Sequence, residues 1–178
     1  MAKIVELKDF RTKTLEQKAF GPWKKRFGEN FSPETRLSDI SDKTLLYLSQ
    51  PGEASAVAFY ELIMGVLNFG HASKFSYIEN DDQRYVMEIH LFLSDLCRFE
   101  MMGRLGWIRF KDCSVKSLIE LIGNFLEYKD FCRLNPPELS ESHPDYNSYK
   151  NLHERDREGF IRRLLPGALD IFQRKVNQ

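Results

Sequence analysis

Cysteine is scarce in this sequence. Its 178 residues include three Cys, namely Cys97, Cys113 and Cys132, with no CxxC pair and no nearby Cys/His pairing of zinc-finger spacing. An odd and widely spaced set of this kind excludes a disulfide framework and a zinc ribbon. We therefore expect reduced thiols in a cytoplasmic protein that needs neither disulfides nor a metal to stay folded.

The sequence has no excess of positive or negative charge, because its 26 Lys and Arg residues balance its 26 Asp and Glu residues. This balance excludes the broad basic field of a dedicated nucleic-acid binder, so we do not expect nucleic acid as a partner. The chain is 42% hydrophobic and 13% aromatic. Because apolar area of this extent can offset backbone entropy, global disorder is excluded as well.

Long hydrophobic runs are also missing. The most apolar stretch, residues 54–69, contains Glu61 and is shorter than the roughly 20 residues that a membrane helix needs. Residues 1–13 alternate charged and apolar side chains and lack the hydrophobic region of a secretory signal. These absences predict a soluble, cytoplasmic protein with no membrane contact.

Several catalytic motifs are absent, namely Walker A, GxGxxG after a strand, HExxH and GxSxG. A di-iron helical bundle would need Glu-x-x-His pairs, and the Glu88-Ile89-His90 segment has the wrong spacing. We therefore expect no cofactor, no metal site and no catalytic residue.

The sequence does contain strong helical periodicity, whereas strand-like alternation is confined to a weak candidate at residues 3–7. This pattern predicts an all-α protein. We expect a single domain over residues 1–178, in which short N-terminal helices in residues 1–52 pack on a bundle of about four long helices in residues 53–178.

Capping residues and helix breakers predict where these helices begin and end. Short helices are expected over residues 14–21, where Gly21-Pro22 ends the helix, then after Ser32-Pro33, and from Ser41 or Asp42 to Gln50. The long helices are expected over residues 53–69, 80–105, 114–134 and 146–176, the last one kinked or split at Pro166-Gly167. Residues 136–149 are typical of an acidic, mobile loop.

The predicted helix over residues 80–105 is apolar nearly all round, so we expect it at the centre of the bundle. One face carries Val86, Ile89, Leu93, Leu96 and Cys97. The opposite stripe is mainly charged, but it also includes the apolar residues Leu91, Phe92 and Phe99.

Five ionisable residues form a candidate buried polar cluster: Glu61, His90, Asp95, Arg98 and Glu100. An unpaired charge is costly to bury, so these groups must be paired or neutralised. One interpretation pairs Asp95 with Arg98 one turn later. The other is a buried network that lines a polar pocket. If the helices on either side of residues 70–79 form an antiparallel hairpin, Glu61 and His90 lie at similar distances from the turn along their helices. This placement predicts a hydrogen bond between their side chains.

Six residues form a candidate interaction surface: Trp23, Lys24, Lys25 and Arg26 near the N-terminus, and Trp107 and Phe110 after the central helix. The three cations could contact phosphates or an acidic partner, but the segment equally fits a turn whose aromatic rings dock on the bundle. Likewise, Trp107 and Phe110 either plug the end of the bundle or, if exposed, anchor a partner.

These features predict a non-catalytic interaction or regulatory module, acting on a protein partner or self-associating through an apolar helix face. The alternative is a small-molecule-binding protein or enzyme built around the polar cluster, in which at least one member points into a cavity with a perturbed pKa. A third hypothesis, nucleic-acid binding through residues 24–26, predicts salt-sensitive association.

Overall fold

The structure is a computed structural model that describes residues 2–110, 113 and 115–178, with side chains described from Lys13 onward. In chain order its helices are α1 (Ala2–Phe27), α2 (Asp42–Ser49), α3 (Glu53–Val66), α4 (Asn80–Arg104), α5 (Leu118–Gly123), α6 (Phe125–Leu134), α7 (Tyr146–Lys150), α8 (Glu154–Arg163) and α9 (Leu165–Val176). Short 3₁₀ turns span Leu37–Asp39 and Ala72–Tyr77. Two short strands, β1 (Ile108–Arg109) and β2 (Glu138–Leu139), pair antiparallel with Ile108 opposite Leu139. The all-α prediction is confirmed.

α4 lies at the centre of the helical packing, as predicted. It packs against α2, α3 and α9, while α1 packs along α3. The apolar face expected from the sequence is buried: Val86, Ile89, Leu93, Leu96 and Cys97 are each at most 2% exposed. The buried apolar residues form one continuous core that extends from Ala19 on α1 to Phe172 on α9.

α1 corrects three predictions for the N-terminal region. Residues 3–7 are helical and not a strand, residues 14–21 belong to the same helix, and Gly21-Pro22 lies inside it. Proline removes one backbone donor, so the Lys18 carbonyl loses the partner it would have four residues later. α3 covers this carbonyl with Gly65, and the helix continues to Phe27. Tertiary packing thus outweighs a local helix breaker.

The bounds of α2 and α4 agree with the predictions. Ser41 caps α2 by accepting a hydrogen bond from the Thr44 backbone amide at 3.2 Å, and the helix ends before Gln50. By contrast, the helix expected after Ser32-Pro33 is only a turn. α3 begins at Glu53 as expected and ends at Val66, three residues early.

Two of the four predicted long helices are divided. The helix expected over residues 114–134 forms α5 and α6, which are separated at Asn124, and Ser114 itself lies outside the described residues. The helix expected over 146–176 forms α7, α8 and α9, and the break before α9 falls next to Pro166 as predicted. Residues 136–149, expected as a loop, contain β2 and the start of α7.

Within the part of the chain that the structure describes, no helix combines the length and the apolar character needed to cross a membrane.

Candidate functional site

A groove runs along one side of α4, between α6 and α8, and has a cavity volume of about 550 Å³. Its apolar lining includes Leu91, Phe92, Leu96, Phe99 and Phe110. Its polar lining includes Glu88, Asp95, Lys129, Arg133, Glu158 and Arg162. We refer to this surface as the α4 groove.

The helical repeat of α4 explains the apolar floor of the α4 groove. Residues three, four or seven positions apart share a face of a helix. Leu91, Phe92 and Phe99 therefore lie on the same face of α4 as the charged residues Glu88 and Asp95. The Phe92 ring meets Phe125 of α6 at 5.5 Å between centroids, and the Phe99 ring meets Phe110 at 6.0 Å. These contacts hold the rings as a floor, while Leu91 stays 63% exposed.

An ion pair joins α8 to α4 at one side of the groove. Arg162 donates to both carboxylate oxygens of Asp95, at 2.9 and 3.0 Å, and to Glu158 at 3.0 Å. Its guanidinium carbon also lies 5.5 Å from the centre of the Phe99 ring. The hydrogen bonds to Asp95 raise the pKa of Arg162 above its ordinary value, so this residue stays charged. Because both partners are partly exposed, the pair stabilises the fold by no more than about 1 kcal/mol.

The opposite rim of the groove is formed by α6 and carries two cations. Lys129 Nζ lies 5.5 Å from the centre of the Phe125 ring. Arg133 lies 3.7 Å from Asp130, and both side chains of this pair are 72% exposed, so they form a weak surface contact. Glu88 is exposed on α4. The groove thus has an apolar floor between two charged sides. The α6 rim is net positive, because Lys129 and Arg133 outnumber Asp130, and the opposite side is net negative, because Glu88, Asp95 and Glu158 outnumber Arg162.

Glu61, from the predicted polar cluster, faces α1 instead of α4. Arg26 donates to it at 2.5 and 3.3 Å, and the Glu61 side chain is only 9% exposed. The predicted Glu61–His90 hydrogen bond is therefore wrong, because α3 directs this carboxylate toward its other neighbouring helix. The Arg26 pKa is raised, chiefly by the hydrogen bond to Glu61.

His90 packs against aromatic side chains of α3. Its ring lies 5.4 Å from the Phe59 ring and 5.3 Å from the Tyr60 ring, measured between centroids. Burial lowers the His90 pKa below its ordinary value, and the positive charge of Arg98 lowers it further. The neutral imidazole is thus the favoured form.

The other three members of the predicted cluster have separate partners. Arg98 donates to the Ser49 carbonyl at 3.2 Å, and Glu100 accepts from Arg104 at 3.0 Å. Asp95 pairs with Arg162 and not with Arg98, so the predicted one-turn pairing is also wrong. The structure does not bring the five residues together, and among them Asp95 alone lines the α4 groove.

The predicted N-terminal surface is largely engaged within the fold. Trp23 is 0% exposed and donates its indole N–H to the Ala58 carbonyl at 2.7 Å. Its ring therefore docks on the bundle, as one of the two interpretations held, and it is not part of an exposed surface. Lys24 pairs with Glu16 at 2.6 Å. Arg26 is held by Glu61 as described, while Lys25 remains exposed. Continuation of α1 past Pro22 causes this arrangement, because it lays Trp23 against α3.

The two predicted surface aromatics after α4 have different positions. Trp107 is partly buried with its ring 4.9 Å from the His143 ring, which agrees with the interpretation of a plug at the end of the bundle. Phe110 lines the α4 groove beside Phe99. Of the six residues predicted as an interaction surface, Phe110 alone belongs to the groove.

Lys129 and Arg162 line the groove but were not predicted from the sequence. Nothing in the spacing of the chain relates either of them to α4, since Arg162 lies 67 positions from Asp95. A signal for the floor did exist: Phe92 and Phe99 interrupt an otherwise charged stripe, which is typical of a helix face that is partly covered.

Among the described residues, no group of three or more His, Cys, Asp or Glu side chains is arranged to hold a metal ion. Comparison with known proteins gave no match: no family model, no curated protein and no solved structure is similar enough to the chain to indicate a family.

Proposed function

We propose that the protein is a non-catalytic interaction module that binds an amphipathic segment of a partner protein in the α4 groove. The observation that carries this proposal is the apolar floor, from which Leu91 projects with 63% of its surface exposed. Exposed apolar surface bordered by polar residues is typical of a protein-binding site.

The charges around the floor favour a partner of particular chemistry. Lys129 and Arg133 on α6 would attract acidic side chains, while Glu88 on α4 would attract a basic one. A helical partner segment would therefore carry an apolar stripe with three- and four-residue spacing, acidic residues on one flank and a basic residue on the other.

The polar side chains of the groove support binding over catalysis. Asp95 and Glu158 both accept hydrogen bonds from Arg162, so all three side chains are engaged within the fold. A general acid or base would instead need to reach a bound substrate directly.

A displayed peptide library selected on the purified protein tests the proposal. We expect enriched peptides with the apolar stripe and the charged flanks described above. Leu91→Glu should weaken their binding by more than about tenfold, because the new carboxylate would have to be desolvated against an apolar ligand. Leu126→Glu is the matched control, since Leu126 has the same 63% exposure but does not line the groove.

Several results would count against this function. Selected peptides that bind the Leu91→Glu variant as tightly as the wild type would place the binding surface elsewhere. A wild-type dimer in sedimentation that becomes a monomer in Leu91→Glu would make a second copy of this chain the occupant. A small molecule retained in native mass spectrometry and lost in Leu91→Glu would instead favour a ligand-binding role.

A further inference from the structure

Two of the three cysteines meet at the edge of the α4 groove. Cys113 Sγ and Cys132 Sγ are 2.9 Å apart, and Cys132 lines the groove. Cys113 is 1% exposed, whereas Cys132 is partly exposed. Cys132 is thus the more accessible of the two residues, and its sulfur is in contact with that of the buried Cys113.

We propose that Cys113 and Cys132 are an oxidation site, at which a peroxide converts the two thiols into a reversible intramolecular disulfide. This inference goes beyond the proposed function and does not depend on any partner in the groove.

The chemistry requires two steps, with hydrogen peroxide as the oxidant. The Cys132 sulfur attacks one peroxide oxygen as the O–O bond breaks, giving a sulfenic acid and one water. The Cys113 sulfur then attacks the Cys132 sulfur, forming the S–S bond and displacing a second water that carries away the remaining proton. In total, two thiols lose two electrons and two protons, and one peroxide becomes two waters.

The geometry favours the second step. A disulfide has an S–S length of about 2.0 Å, so the sulfurs need to approach by less than about 1 Å. Cys132 is held on α6, and Cys113 precedes α5 by a few residues, so the bond would join the segment before α5 to the helix after it. A sulfenic acid formed at Cys132 would therefore meet its resolving thiol without rearrangement of the helices.

The rate of the first step is set by the protonation of Cys132. The hydrogen bond with Cys113 and burial both raise the pKa of the Cys132 thiol well above its ordinary value. The thiolate that attacks peroxide is therefore scarce at neutral pH. We expect the site to respond to sustained rather than brief exposure to peroxide.

The test uses the reduced protein, treated with hydrogen peroxide at mildly alkaline pH and then alkylated. We expect an intact mass lowered by two hydrogens and, after proteolysis without reduction, a peptide pair joined through Cys113 and Cys132. Dithiothreitol should reverse both changes. The oxidised form should also melt several degrees higher than the reduced form, because the bond restricts the unfolded chain.

Variants separate the two roles. Cys113→Ala should leave Cys132 as a sulfenic acid that dimedone captures, whereas Cys132→Ala should leave Cys113 reduced because it is buried. Cys97→Ala is the matched control, since Cys97 is a core thiol at 1% exposure, and the disulfide should still form in it.

The wild-type measurement alone can overturn the proposal, even if a variant fails to fold. Thiols that remain fully alkylatable after treatment, a disulfide that includes Cys97, links between chains, or a sulfinic acid at Cys132 without any cross-link would each contradict it.

Discussion

His90 lies half-buried on α4 with its ring against Phe59 and Tyr60, and its pKa lies below the ordinary value of 6.5. In the unfolded chain this imidazole regains its ordinary pKa. Between the two pKa values the unfolded state binds a proton that the folded state does not. The contribution of His90 to stability is therefore fully present above pH 6.5 and is lost as the pH falls below it.

We predict that the free energy of unfolding of the wild type falls more steeply on acidification through pH 6.5 than that of His90→Gln. Urea unfolding at several pH values measures this difference, and subtracting the two profiles removes the contributions of other titrating groups. Parallel profiles for wild type and variant would show that the histidine titrates alike in both states.

Glu61 illustrates how a residue can be conspicuous in the sequence for a structural reason. It is the only charged residue between Ala54 and Phe69, and it binds Arg26 across the contact of α1 with α3. A buried carboxylate is costly when unpaired, so the cation must be supplied by a neighbouring helix. The charge therefore orients two helices and lies outside the α4 groove.

At the scale of elements, the crossing of α1 and α3 depends on a glycine opposite a proline. Pro22 deprives the Lys18 carbonyl of its helical partner, and the Cα of Gly65 packs against that carbonyl. A Cβ at position 65 would overlap the Lys18 oxygen and lie 2.8 Å from the Ala19 Cα. Both obstacles are backbone atoms, which cannot move aside as a side chain can.

We predict that Gly65→Ala lowers the free energy of unfolding by at least about 2 kcal/mol, because the two helices must separate to admit the methyl group. The control is Gly159→Ala in α8, where a Cβ has nothing within 4 Å. There the gain in helix propensity should leave stability unchanged or raise it by up to about 1 kcal/mol. Urea unfolding of both variants compares them, and equal effects would contradict the proposed close approach.

The groove also belongs to this scale, because no single helix contains it. α4 supplies the floor, α6 the cationic rim and α8 the arginine that neutralises Asp95. Any change that shifts α6 or α8 against α4 should therefore alter the groove even where its lining residues are kept.

At the scale of the whole molecule, one core connects the chain from α1 to α9. The two tryptophans lie in different parts of it: Trp23 on α1 is fully buried, while Trp107 lies after α4 and packs on His143. Each can therefore report on its own region by fluorescence.

We predict that the protein unfolds as one cooperative unit, as a single domain over residues 1–178 should. Fluorescence of Trp23→Phe, which reports on Trp107 alone, and of Trp107→Phe, which reports on Trp23 alone, should give urea transitions that coincide with the far-UV circular dichroism of the same variant. A fluorescence transition that precedes the loss of helix in either variant would indicate that residues 1–52 and 53–178 unfold separately.

Much of the fold could be predicted from the sequence. The all-α class, the bounds of α2 and α4, the buried face of α4 and the break beside Pro166 all follow from signals within a few residues of each other. The local rules failed where packing outweighed them, as at Pro22 inside α1, and where a helix was interrupted without proline, as at Asn124 between α5 and α6.

Very little of the site could be predicted in this way. Arg26 and Glu61 are 35 positions apart, Asp95 and Arg162 are 67 apart, and Cys113 and Cys132 are 19 apart. Periodicity identifies the face on which a side chain lies, because that depends on the helical repeat alone. Which helix covers that face depends on how whole helices pack against one another. The pairs of charges and thiols that come into contact are therefore decided only by the tertiary structure.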